Sequence, residues 1–126
     1  MPKKQEQKRT SQKDFEKLEL RVGTIKAVKE HQNRRDYILL VDLGPVEQDL
    51  QVVADLKDSY AMSELIGKQV VVIANIRHEL VGGVESQGMF LVTRLKGKKR
   101  LVCPDKKVLA GVKVFGVMDS SCTHKE

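Results

Sequence analysis

Residues 61–76 read AMSELIGKQVVVIANI, and the junction inside this stretch decides the fold. Its first half, AMSELIG (61–67), fits one or two helical turns, with Ser59 as the expected N-cap and Gly67 as the C-terminal stop. Its second half, QVVVIANI (69–76), is a continuous β-branched run and is expected to be a central strand. Upstream, LELRVGTIKAVKEH (18–31) alternates, with Leu18, Leu20 and Val22 on one face. Gly23 interrupts that alternation and predicts a bulge or bend. YILLVDLG (37–44) and DLQVVADL (49–56) are a second and a third strand, and GMFLVTRL (88–95) is a fifth. RLVCP (100–104) and VKVFGV (112–117) add short C-terminal strands. SH3-like barrels and small sandwiches share this strand count. A single helix between the third and fourth strands favours a five-stranded OB-fold barrel, an all-β class.

Composition bounds the function. The 126 residues suit one domain with one modest core. Apolar residues make up 40% and charged residues 32%, as in soluble globular chains. No apolar run approaches the ~20 residues that a membrane-spanning helix needs. The N-terminal MPKKQEQKRTSQK lacks the apolar segment of a secretory signal. Cys103 and Cys122 form neither a CxxC pair nor a disulfide framework. A cytoplasmic location is the expectation.

The net charge of +6 is unevenly spread. Residues 1–13 hold five basic side chains against one acidic, which leaves 18 against 16 in the rest. With no apolar residue after Met1, residues 1–13 are expected to be a disordered basic tail. Residues 14–118 are then the domain and 119–126 a flexible C-terminus. A second cluster, Lys96-Gly97-Lys98-Lys99-Arg100, sits where a hairpin turn is expected. A basic arm and a basic hairpin tip point to nucleic acid or an acidic surface.

Catalysis has little support. His31, His78 and His124 are widely spaced, form no metal-ligand pattern with the cysteines, and read as surface histidines. Glu85-Ser86 lacks a G-x-S-x-G frame, and Gly82, Gly83 and Gly88 lack the lysine and following helix of a phosphate loop. No catalytic residue, metal site or cofactor is expected. Only five aromatic residues are present, and Phe90 is expected to pack in the core with Val92. That is few rings for stacking single-stranded bases, so a folded RNA read by backbone and shape fits better.

Two blocks carry a resemblance. IGKQVVVIAN (66–75) followed by GVESQGM (83–89) closely resembles the tRNA-binding domain family. That module occurs as a free-standing protein, as the C-terminal part of many methionyl-tRNA synthetases, and in proteins like endothelial-monocyte-activating polypeptide II. The resemblance begins at Asp14, continues through Arg21-Val22-Gly23-Thr24-Ile25 and ends near Gly111-Val112-Lys113-Val114. It implies an OB-fold that grips the outer corner of tRNA by shape. Gly83 and Gly88 then allow close backbone approach, Ser86 offers a hydroxyl to a phosphate or 2′-OH, and Met89 offers a flexible apolar contact. Met89 is otherwise a core residue, and strand parity decides between the two.

The chain departs from the family pattern in two places. Where the family often has HPNADKL, this chain has His31-Gln32-Asn33-Arg34-Arg35-Asp36-Tyr37, with Asn33 kept and Arg34 or Arg35 in place of the usual lysine. Ahead of GVESQGM only Arg77 remains of a commonly basic segment. The expected RNA-binding set is therefore Asn33, Arg34, Arg35, Arg77, Ser86, Met89, Lys98, Lys99 and Arg100. The expected function is structure-specific tRNA binding as a trans-acting auxiliary factor for an aminoacyl-tRNA synthetase. The alternatives are a protein-docking adaptor of a synthetase complex with weak RNA affinity, and a dimeric OB-fold export chaperone. Free-standing members of the family are typically homodimers. The late apolar residues Val112, Val114, Phe115, Val117 and Met118, with the first strand, are expected to form a symmetric interface.

Overall fold

The structure, a computed structural model, describes residues 8–117. A short helix, α1 (Gln12–Phe15), precedes β1 (Leu20–Glu30), β2 (Tyr37–Asp42) and β3 (Leu50–Ala54). Helix α2 (Met62–Leu65) leads into β4 (Gln69–Ile73). There follow β5 (Glu79–Val81), β6 (Val84–Ser86), β7 (Met89–Phe90), β8 (Val92–Leu95) and β9 (Lys98–Leu101). The main antiparallel sheet has the order β3-β2-β1-β4-β7 and curls into a nearly closed barrel, with α2 between its third and fourth strands. This is the OB-fold.

The period-2 geometry of strands explains the two apolar layers. Val70 and Val72 point into the barrel with Ile25, Leu39, Val41, Val52 and Phe90. Val71 and Ile73 point outward and pack with Leu20, Ile76, Leu91 and Val114. A strand buried on both faces needs the unbroken β-branched run seen in its sequence. Strand β1 serves both neighbours in turn, pairing with β4 over Leu20–Thr24 and with β2 over Thr24–Glu30.

The structure corrects several expectations. The bulge in β1 falls between Ile25 and Ala27, not at Gly23, which pairs in regular register with Val70. Gly23 is required by packing instead, because a Cβ there would overlap Val41 Cγ1 and lie 2.9 Å from Leu43 Cδ2. Ser59 does not cap α2. The N-cap is Ala61, whose amide donates to Glu64 Oε1 at 2.7 Å, while Ser59 lies too early to reach the first turn. Gly67 does stop the helix, in a left-handed conformation with φ +86°. Residues 88–95 split at Leu91, so that β7 pairs with β4 while β8 turns out to pair with β9. Residues 112–117 form no strand beyond a bridge of Lys113 to Arg21. Leu18 stands outside β1 and is exposed. Met118, Cys122, His124 and the C-terminal segment 119–126 lie outside the described residues, as do residues 1–7 of the basic tail.

Gly23→Ala tests the packing. An added methyl inside a filled barrel is expected to cost about 1–3 kcal/mol, read as a lower denaturant midpoint at unchanged slope. An unchanged midpoint would show that Val41 and Leu43 give way freely.

Candidate nucleic-acid interface

The site is built at the seam of the barrel. Among the described residues, strand β3 has only β2 as a ladder partner, so the amides on its other edge need acceptors from elsewhere. The GVESQGM block supplies them with side chains. Gln51 N–H donates to Gln87 Oε1 at 2.8 Å, and Gln87 N–H returns a bond to Gln51 O at 2.7 Å. Val53 N–H donates to Ser86 Oγ at 3.0 Å, and that hydroxyl donates onward to Gly88 O. Gln51 Nε2 reaches Glu85 O at 2.7 Å. Gly88 closes the seam because a Cβ there would lie 2.9 Å from Leu50 Cδ2. Further along, Lys99 N–H donates to Ser59 Oγ and Leu101 N–H to Tyr60 Oη. Polar side chains therefore take the place of a backbone ladder along this line.

Beside the seam lies a groove of about 350 Å³. Ile76, Met89, Phe90 and Val92 contribute its apolar wall, and Arg77, Glu79, Asp55 and Lys99 its charged lining. Strand parity resolves Met89, which is 44% exposed while Phe90 is 8% exposed and sits in the main core. Val92 packs against that core as expected.

Two hairpins flank the groove. The first joins β5 and β6 through Gly82-Gly83, both at positive φ as a two-residue turn requires. It lies outside the main sheet. The second joins β8 and β9 through Lys96-Gly97, also at positive φ, which confirms the expected basic hairpin. His31 corrects the expectation of a surface histidine: it is 4% exposed. Its Nε2–H donates to Val81 O at 2.8 Å, and its Nδ1 accepts from Asn33 N–H at 2.9 Å. His78 does lie at the surface, 3.4 Å from Glu85.

The nine residues singled out from sequence separate by what their polar atoms already do. Asn33 spends both ends of its amide inside its own loop, accepting from Arg35 N–H and Asp36 N–H and donating to the Asp36 carboxylate at 2.6 Å. The Ser86 hydroxyl is taken by Val53 and Gly88. Lys98 donates to Asp58 O, Lys99 pairs with Asp55 at 3.4 Å, and Arg100 bonds Lys99 O. The guanidinium groups of Arg34, Arg35 and Arg77 are exposed and have no partner among the described residues. Arg77, Ser86, Met89 and Lys99 line one groove. Asn33, Arg34 and Arg35 do not line it; the His31–Val81 bond ties their loop to its wall. Sequence reasoning missed His31, Gln51 and Gln87. It also passed over Asn75, which accepts from Glu19 N–H and donates to Lys17 O, fastening the segment before β1. The family block containing Asn75 and Gln87 was the available signal for those two. His31 and Gln51 left none in their local pattern.

A profile of the family described as "Putative tRNA binding domain" matches residues 20–113. The chain is 46% identical over 102 residues to methionine–tRNA ligase of Pyrococcus horikoshii, which covers 80% of this chain and 14% of the ligase. It thus spans a small fraction of that relative's length. Among solved structures, the MetRS-related protein of P. horikoshii superposes with a TM-score of 0.79 at 26% identity, covering 86% of this chain and all of that one (100%). The chaperone CsaA of Bacillus anthracis gives 0.78 at 27% identity, covering 85% and 99%.

Ser86→Ala is the variant that separates the two roles of this hydroxyl. Leaving Val53 N–H unpaired at the seam is expected to cost about 1–3 kcal/mol of stability, measured by denaturant unfolding. A variant as stable as the parent would return the hydroxyl to the role of a solvent-facing RNA contact.

Proposed function

From its membership of the tRNA-binding domain family, to which this chain belongs, we propose that it is a non-catalytic module that binds folded tRNA. The observation that carries this reading is the trio of unpartnered guanidinium groups, Arg34, Arg35 and Arg77, on elements fastened to each other by His31. Arginine suits phosphate because its planar fork can donate two parallel bonds. The rings argue for backbone and shape readout. Tyr37 and Phe90 are buried, Tyr60 is spent on Leu101 N–H, and Phe15 and Phe115 lie together at a separate pocket. Among the described residues Phe90 is the one ring lining the groove, and it is buried, so single-stranded bases gain little there.

In cellular terms, we place the protein in the cytoplasm as a trans-acting auxiliary factor for an aminoacyl-tRNA synthetase. The identity to methionine–tRNA ligase supports that partnership. A second copy is placed on the apolar face where α1 meets the C-terminal segment. There Phe15, Leu18 and Phe115 are all more than a third exposed, and Val117 is 82% exposed. A face of that kind is commonly hidden by twofold pairing. Sedimentation at micromolar concentration is expected to show about twice the 14.2 kDa chain mass, and a 14.2 kDa species would refute the pairing. The export-chaperone reading draws on the likeness to CsaA and on the apolar wall of the groove.

The test is filter binding of bulk tRNA, single-stranded RNA, duplex DNA and an unfolded peptide across a salt series. Folded tRNA is expected to bind most tightly. Replacing Arg34, Arg35 and Arg77 with Gln is expected to lower the slope of log K against log salt by roughly two to three, as three phosphate contacts are lost. Unfolded peptide bound in preference to tRNA would favour the chaperone. Binding to neither would favour the adaptor.

A further inference from the structure

We infer that His31 is the positioning residue of this interface: its ring latches the β5–β6 hairpin to the loop 31–36, so that Arg34 and Arg35 keep a fixed relation to Arg77. The inference rests on the proposed tRNA-binding reading. Its geometric half stands apart from it.

The hairpin needs such a latch. Two strands of three residues each are too short to hold together alone, and neither joins the main sheet. At its base the hairpin is fastened to β3 by Gln51 and Ser86. Toward its tip, the hairpin is bonded to the rest of the domain by His31 Nε2–H to Val81 O. The ring is an apt clasp because its two nitrogens have opposite roles. Nδ1 accepts from Asn33 N–H and so fixes the proton on Nε2, where it is donated across to the hairpin. The turn is shaped to the ring as well. A Cβ on Gly82 would lie 2.6 Å from His31 Cε1, and φ is +56° there.

On the other side of the ring, Asn33 carries the constraint to the arginines. Its Oδ1 accepts from the Arg35 and Asp36 amides, and its Nδ2 holds the buried Asp36 carboxylate. Arg34 is forced to φ +62°, and its carbonyl accepts from Lys57 Nζ. Arg77 lies four residues before Val81, about 13 Å along an extended chain. The arginines on the loop and the one beside the hairpin therefore share a single rigid link. Fixed spacing of phosphate contacts is what lets a protein recognise a folded RNA by shape.

The test uses the full chain and three variants. His31→Phe keeps a ring of similar shape but leaves Val81 O and Asn33 N–H unpaired. His31→Gln offers one acceptor and one donor at about the spacing of the two ring nitrogens. Gly82→Ala leaves His31 intact and pushes the turn off it. Amide exchange over residues 79–86 is expected to quicken roughly tenfold in His31→Phe and Gly82→Ala, and to return toward wild type in His31→Gln. Affinity for folded tRNA should fall about fivefold to tenfold in the first two and recover in the third, while binding to duplex DNA changes little. If His31→Phe does not fold, Gly82→Ala carries the comparison. Unchanged hairpin exchange overturns the latch. A loosened hairpin with unchanged tRNA affinity overturns its positioning role. A wild-type chain that does not bind tRNA overturns the proposed function and the RNA half of this inference, while the exchange arm still decides the latch.

Discussion

The Gln51–Gln87 pair, with the Ser86 hydroxyl on Val53, is the contact on which the rest of the structure depends. A barrel must satisfy the outer edge of its third strand or leave a row of buried-edge amides unpaired, at about 1–3 kcal/mol each. A backbone ladder would do this, but it would also press another strand against β3 and leave no groove. Side chains reach across a wider gap. The polar residues of GVESQGM close the barrel, and the space they span remains open as the groove beside Met89.

This arrangement divides labour along the sequence. Side chains that make architecture have their polar atoms occupied: Asn33 in its loop, Ser86 and Gln87 against β3, and Ser59 and Tyr60 against β9. The guanidinium groups of Arg34, Arg35 and Arg77 have no partner among the described residues. Seam contacts are set by hydrogen-bond geometry, whereas phosphate contacts tolerate displacement. In this chain the exposed guanidinium groups of Arg34 and Arg35 stand in the loop 31–36.

Much of the fold was legible in the sequence because it is local. The helix between the third and fourth strands, the glycine stop at Gly67 and the two-faced burial of QVVVI follow from propensity and period. The basic hairpin was legible from its Lys-Gly turn. What could not be read were bonds between distant residues. Ser86 and Val53 are 33 positions apart, and His31 and Val81 are 50 apart. Nothing in the neighbourhood of His31 signals that the turn of a later hairpin will cover it. Ser86 is a related case: a serine beside glycines suggests an exposed hydroxyl, whereas this one accepts from Val53 N–H and donates to Gly88 O. Gly23 was assigned a backbone role when the constraint came from Val41 and Leu43 across the barrel.

Native-state hydrogen exchange at the amides of Gln51, Val53, Lys99 and Leu101 tests the central claim most directly. These N–H groups have side-chain acceptors in place of a backbone ladder. If the seam is closed as described, they exchange as slowly as the ladder amides of β2 and β4, and open only with the barrel as a whole. Exchange at near-solvent rates, with the ladder amides still protected, would show that the seam is open and contradict the account.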